Sequence, residues 1–385
     1  MEIIKKIYKD INLNKNIKDE TKYYQNILGL FYNKRNFELN DYFYKDHIEQ
    51  ILLLIKNNKS SKYKFVETEE EKQKNKEQTL YLKKQKFFKQ RTKEWFKKRK
   101  TCLTASNINK LDGSENDKIR IIIDKCKPLN MDQNKFFASK PCIHGNQFED
   151  VAEQIFSIRN TVKVYSFGCI VHEHIKYLGA SPDGIDENGE MLEIKCPYSR
   201  TITGICKEVY YKQIQLQLAV ANLNICNFLE IKFVEYDNPT EFYLDYDGTN
   251  ENKQKNGLEK GVLIKIIKNN NERKYIYHHI NYTYKKIKHW ISNSLYRLKR
   301  DDKHKHFVSF EVIYWKVTKY SCVKVFRDYD WFPNILSKSY KLWFTILNYR
   351  KNGKWKELEQ NIKKNKKKKN IIPKGVCLIS DSDSE

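Results

Sequence analysis

The sequence has no CxxC pair, no internal repeat, and no apolar run approaching the ~20 residues that a membrane span needs. Its nine cysteines, Cys102, Cys126, Cys142, Cys169, Cys196, Cys206, Cys226, Cys322 and Cys377, are scattered and odd in number. That pattern speaks against a disulfide framework and against a structural zinc or iron–sulfur site. Reduced thiols are the expectation. The longest apolar run, Ile51 to Ile55, fits a buried helix turn. Residues Met1 to Lys9 carry no apolar block of the signal-peptide kind. The chain is therefore expected to be soluble and intracellular, not secreted, and to have no membrane partner.

Acidic residues are also in short supply. Asp and Glu total 48 against 73 Lys and Arg, so the formal net charge is +25. Such an excess invites a polyanion, with nucleic acid first among the candidates, although ribosomal, membrane-surface and packaging proteins share it. The 385 residues, 40% of them apolar, suffice for one large domain or two smaller ones. Abundant Lys, Asn, Ile and Tyr point to an AT-rich coding genome, which bears on codons and not on function.

Three segments differ in character. Residues 1–85 read as a helical, charged extension, with Ile48, Ile51, Leu52 and Ile55 at helical spacing. Within it, residues 57–80 pass from a linker into a charged helix expected to run through Phe87 and Phe88 toward Trp95. Residues 86–350 form the main domain. A strand over Val162–Val171, a tight turn at Ser181-Pro182-Asp183-Gly184, a strand over Met191–Cys196, a helix over Glu208–Asn222 and a strand over Cys226–Val234 make an α/β core. Residues 237–270 contain a polar insertion. Residues from Tyr275 to Arg297 read as strand then helix, Phe307 to Val325 as β-rich, and Asp330 to Tyr349 as helix. The tail, 351–385, is basic at Lys366–Lys369 and acidic from Ser380 to Glu385, and is expected to be disordered. Its lysines suit a nuclear signal or DNA-binding arm and, equally, a solubilising tail.

The chemistry concentrates at Asp183, Glu193 and Lys195. Glu193 and Lys195 are two apart on a strand and point to one face. A turn over Glu187–Glu190 would return Glu193 beside Asp183. Converging carboxylates repel unless a cation lies between them, and hard oxygen donors suit Mg²⁺ or Mn²⁺. A lysine beside them can orient or deprotonate a water and stabilise a phosphate. An ordinary surface hairpin with a Glu–Lys pair gives the same pattern by chance. The Pro182 and Gly184 flanks and the strand end at Cys196-Pro197 favour the site.

Around these residues the sequence resembles a known family. LGASPDG at 178–184 and LEIKCP at 192–197 are similar to the lambda-exonuclease-like nucleases, or YqaJ-type viral recombinases, of the PD-(D/E)XK class. Three further motifs agree in order: WFKKR at 95–99 with LTAS at 103–106, GNQFE at 145–149 leading to Ala152 and Phe156, and YKQIQLQ at 211–217. The resemblance is close over 91–236 and extends toward Arg350. It implies a restriction-endonuclease-like fold, with a mixed central sheet flanked by helices.

The resemblance also implies roles. Asp183 and Glu193 would be metal carboxylates for one or two Mg²⁺ ions, with the Ile194 carbonyl a further ligand. Lys195 would handle the attacking water, and Glu149, counted with the metal residues, would approach the metals from its helix, through water or a second ion. Arg99 and Ser106 would grip a terminal 5′ phosphate, and Gln213 would lie near Lys195 and the substrate. The implied activity is 5′→3′ digestion of one strand at double-stranded DNA ends, in viral recombination, repair or replication. A single-strand-annealing protein would be the partner, a ring-shaped homo-oligomer the assembly, and the cytoplasm or nucleus of an infected cell the setting.

Plainer readings stand beside these. Arg99 is one cation in a run of four, Ser106 can cap a helix beginning after it, and Glu149 can serve a helix dipole from a first turn. Gln213 and Gln217 share a helical face that can simply be solvated. His172 and His174, two apart on a strand, read as ordinary histidines, and His144 has no assigned role. At the level of the whole chain, the alternatives are an endonuclease of the same fold and a non-catalytic DNA-binding scaffold. The intact Asp183, Glu193 and Lys195 set weighs against the scaffold, and the cysteine positions weigh against a cluster-bearing Cas4-like nuclease.

Overall fold

The computed structural model describes residues 68–129, 139–248, 250–268, 272–300 and 307–371. The expected helix of residues 1–57 and the acidic end from Ser380 lie outside them. The first helix, α1 (Glu69–Lys84), is N-capped by Thr68, whose side chain accepts from the Glu71 amide at 3.2 Å. It ends there, and α2 (Lys93–Lys100) restarts behind its own cap, Thr92. One helix running through to Trp95 is therefore not formed. Phe87 instead turns edge-on against Phe167 in the core, at 5.9 Å between centroids, and Arg91 adopts a left-handed backbone, φ 67°, which interrupts a helix. The α1 helix buries Asn75, Thr79 and Leu82 against the main domain, so a boundary at residue 85 would cut a packed unit.

Next come β1 (Leu103–Thr104), α3 (Ala105–Ile108), α4 (Glu115–Cys126) and α5 (Lys140–Asn160). The strand expected over Val162–Val171 divides into β2 (Val164–Tyr165) and β3 (Ile170–Val171), which join different sheets. Between them the backbone passes so close to the Phe88 carbonyl that a Cβ on Gly168 would lie 2.3 Å from its oxygen. The chain continues with β4 (Leu178–Ala180), β5 (Gly184–Asp186), β6 (Met191–Lys195), α6 (Glu208–Ala221), β7 (Ile225–Glu235) and α7 (Pro239–Leu244). It ends with β8 (Lys260–Lys268), β9 (Arg273–Tyr277), α8 (Tyr284–Arg300), β10 (Phe307–Phe326), α9 (Trp331–Asn352) and α10 (Trp355–Ile371).

Two of these elements correct the sequence reading. The polar segment 237–270 contains β8, whose Val262, Leu263, Ile264 and Ile266 are buried; the flanking Asn and Lys residues hid a core strand. The segment 355–371 is helical, not disordered. Leu358 packs against the main core, and Glu359 accepts from Lys127 of α4 at 2.7 Å.

Seven strands form the main sheet in the order β2-β5-β6-β7-β10-β8-β9, and β1-β4-β3 form a smaller one. The β5–β6 hairpin is antiparallel, while β6 and β7 run parallel and so require a crossover, which α6 provides. Strand β6 is interior and buried on both faces, which explains why polar residues in it are costly and local. Ile214 and Leu218 of α6 pack with Phe228, Phe332 and Trp343 in one core. Phe148, Ile155 and Phe156 of α5 pack with Leu229, Phe233 and Trp315 in another. Phe148 stacks on Phe233 at 4.6 Å and 6°, and Trp315 meets Phe233 edge-on at 5.5 Å. Such pairs add about 0.5–1.5 kcal/mol each beyond burial, and they fix the position of the next residue, Glu149. The architecture is the mixed α/β one expected, a mixed central sheet flanked by helices. No helix among the described residues is long and apolar enough to cross a membrane.

Candidate active site

The hairpin brings the sequence-identified carboxylates together. The turn at Ser181–Gly184 is held by Gln90, whose side-chain amide donates to the Pro182 carbonyl at 3.0 Å and to the Phe167 carbonyl at 2.8 Å. Asp183 accepts from the Ile194 amide at 2.7 Å, so it lies across the hairpin from the Glu193–Lys195 stretch. Burial, reinforced by the charges of Glu193 and Glu149, raises its pKa well above the usual carboxylate range.

Glu193 is 1% exposed and fully engaged. Its Oε1 accepts from Gln213 at 2.6 Å and from the Lys195 ammonium, and its Oε2 accepts from Gln217 at 2.7 Å. The shared face of Gln213 and Gln217 is thus turned inward onto Glu193, not solvated. Gln217 is a site residue that the motif reading did not assign, and its four-residue spacing from Gln213 was the available signal. Gln215 does other work, joining the Phe326 carbonyl and the Asp328 amide. Burial works against the Lys195 ammonium, but Glu193 and Asp183 outweigh it and raise its pKa above the ordinary lysine value.

Glu149 lies well inside α5, past its first turn, so a dipole role is excluded by position. Its carboxylate pairs with Arg91 at 2.7 Å. Burial raises its pKa despite that partner. Arg91 is a second missed residue. Its strained backbone aims it at a carboxylate 58 positions away in sequence.

A second cluster adjoins the first through Ser181. The Arg99 guanidinium donates to Ser106 Oγ at 3.0 Å, to Ser181 Oγ at 3.4 Å and to Thr104 Oγ1 at 3.5 Å, and lies 4.5 Å from the Trp95 ring centroid. Trp95 also donates to Ser181 Oγ, at 3.2 Å. Ser106 is inside α3, and Thr104 precedes that helix, so Ser106 does not cap it. A fixed planar cation ringed by three hydroxyls is suited to a phosphate.

A cleft of 560 Å³ opens beside Lys195, lined by Glu149, Ile194, Tyr198, Arg200, Tyr210 and neighbouring residues. Tyr198, Arg200 and Tyr210 were not singled out from sequence. His144 borders Tyr198 and Phe148, at 5.4 and 4.8 Å between ring centroids. His172 lies past the end of β3, so it and His174 do not share a strand face. Its Nδ1 accepts from the His174 and Ile175 amides at 3.1 Å, a turn-stabilising role.

Among the described residues no group of three carboxylates, thiols or imidazoles forms a ready metal cage. Lys195 and Arg91 neutralise Glu193 and Glu149, while Asp183 holds a buried carboxylate against two like charges. In donor chemistry, this set of hard oxygens fits a divalent cation such as Mg²⁺.

Residues 94–224 match the model of the YqaJ-like viral recombinase domain. An uncharacterized protein of Acanthamoeba polyphaga mimivirus is 31% identical over 300 residues, which is 69% of this chain and 54% of that protein. The chain thus spans about half the length of this curated relative. Crystal structures of an alkaline exonuclease from Laribacter hongkongensis, alone and in complex with dAMP, align at 18% identity with a TM-score of 0.40. They cover 71% and 70% of this chain and 99% and 100% of theirs.

Proposed function

We propose that the chain, whose residues 94–224 match the YqaJ-like viral recombinase domain, is a metal-dependent DNA nuclease, a 5′→3′ exonuclease on duplex ends. The observation that carries this reading is the junction at residues 181–183. Ser181 belongs to the Arg99 cluster, and Asp183, two residues on, belongs to the carboxylate cluster. Two residues of extended chain span at most about 7 Å, the reach of roughly one nucleotide. A 5′ phosphate held by Arg99 and Ser106 would place the next phosphodiester beside Asp183.

Asp183, Glu193 and the Ile194 carbonyl would hold one or two Mg²⁺ ions, with Mn²⁺ an alternative and Glu149 nearby. The ion, when bound, neutralises developing negative charge and makes bound water easier to deprotonate. Lys195 would orient the attacking water, and its ammonium is kept charged by the adjacent carboxylates. Gln213 and Gln217 hold Glu193 in one rotamer, so its donor atoms are preorganised. Arg99 positions the end by a forked contact. The product would be a 3′ single strand, the substrate of a single-strand-annealing partner in viral recombination or repair.

Degradation of a 5′-phosphorylated linear duplex in the presence of Mg²⁺ tests the reading. Asp183→Ala and Lys195→Ala should each lower the rate by about 10³-fold or more while DNA binding persists. Wild-type rates in both variants would remove the site assignment. Cleavage of a covalently closed circle would replace end recognition by an endonuclease.

A further inference from the structure

We propose that the outer face of α8 is a clamp for the duplex backbone beyond the reacting end. This surface rests on the nuclease reading only for its purpose; the binding it describes is separable.

The α8 helix is strongly amphipathic. Its inner side seats Ile287 beside Phe242 and Val262, and Leu298 beside Ile264 and Ile266. Its outer side carries Lys285, Lys286, Lys288, Arg297, Lys299 and Arg300, and Tyr284–Arg300 contains no acidic residue. All six cations are exposed, and no carboxylate among the described residues forms an ion pair with any of them. Glu251, the described carboxylate at the helix start, is engaged with the Tyr284 amide. Six like charges on one helix, none paired with a carboxylate among the described residues, repel one another and lower its stability, so a solvated face is a poor account of them. A polyanion repays that cost.

The strand register connects this face to the site. Glu193 and Lys195 of β6 lie beside Phe228 and Glu230 of β7. Residues two apart share a face, so Lys232 and Val234 lie on that side too. Lys232 pairs with Lys319, and Val234 with Lys316. On β10, Lys316 shares its face with Tyr314 and Val312, which contact the cores beneath α8. The α8 helix therefore sits on the same side of the sheet as the catalytic side chains. Between them lies a strip presenting Lys232, Lys316 and Lys319, of which the described residues pair none with a carboxylate. Val234 on the same strip is left 39% exposed. Glu230, the acid of the strip, is neutralised by Arg200.

Seventeen helical residues extend about 25 Å, over which one DNA strand presents about seven phosphates. The length and charge match a segment of duplex leading away from Lys195.

Binding is read on the full chain carrying Asp183→Asn, without divalent cation, so that cleavage plays no part. Fluorescence anisotropy of a labelled blunt duplex, long enough to pass α8, gives Kd as a function of salt. Lys285→Gln, Lys286→Gln and Lys288→Gln together should weaken binding at least about tenfold and lower the slope of log Kd against log salt by about 2 to 3 units. Lys299→Gln with Arg300→Gln should act in the same direction. The corresponding Lys→Arg triple variant keeps the charge and should keep the slope; it also controls for folding, together with an unchanged Tm. Unchanged affinity and slope in both glutamine variants would overturn the clamp and assign the face to a protein partner. A slope lost from a chain that never cleaves DNA would leave the clamp standing and remove the nuclease reading.

Discussion

Arg99 shows how much one residue's role depends on neighbours that sequence spacing cannot rank. In sequence it is one of four consecutive cations. In the fold it alone is stacked on Trp95 and linked to Ser106, Thr104 and Ser181. The fork is planar and preorganised, so Arg99→Lys retains the charge but loses the paired geometry. The ratio of kcat/KM on 5′-phosphorylated over 5′-hydroxyl duplex should then fall by about 10- to 100-fold; an unchanged ratio would exclude Arg99 from end recognition. Asp183, Glu193 and Lys195 were legible because a strand's period of two and a turn fix their relation locally. Arg91 and Gln217 were less so. Arg91 finds Glu149 only through tertiary packing, and Gln217 looks like Gln213 on any solvated helix until Glu193 is placed beneath it.

At the scale of elements, the β5–β6 hairpin, α6 and β7 were readable because each has a clear period and a marked end. β8 was hidden by polar residues on both sides, and α10 by a composition dominated by Lys and Asn, with Trp355 and Leu358 its few apolar marks. The hairpin also contains a position where size is decisive. A Cβ on Gly184 would lie 2.3 Å from Val164 Cγ1, so β2 packs directly onto the backbone beside Asp183. Gly184→Ala should cost about 1–3 kcal/mol in urea unfolding, and combining it with Val164→Ala should restore most of that loss. Additive losses in the double variant would show that the strain lies elsewhere.

For the whole molecule, two buried histidines contribute to the loss of stability in acid. Burial lowers the pKa of His172 to about 3 and of His278 to about 4. Each holds a backbone amide through a ring nitrogen that must stay unprotonated: His172 Nδ1 accepts from two amides, and His278 Nε2 accepts from Val262 at 2.8 Å. The folded pKa values lie below the unfolded value near 6.5, so this contribution is complete above that pH. It is lost as pH falls toward 4 and 3, at about 1.4 kcal/mol per unit and per histidine. His172→Asn and His278→Gln keep an acceptor at the relevant position and should flatten the fall in Tm between about pH 6.5 and 4. An unaltered slope would transfer the acid sensitivity to other groups.

β10 pairs with β7 through its second half and with β8 through its first, and at Trp315 and Lys316 it is bonded to both at once. A single strand, with a register shift between Val317 and Lys319 in its pairing with β7, therefore joins the half of the sheet that holds the carboxylates to the half that carries α8. Paired on both sides at Trp315 and Lys316, it ties the two halves together by backbone hydrogen bonds. On the proposed nuclease reading, parts held on one shared strand would leave the advance from one bond to the next to the sliding of the substrate along the protein.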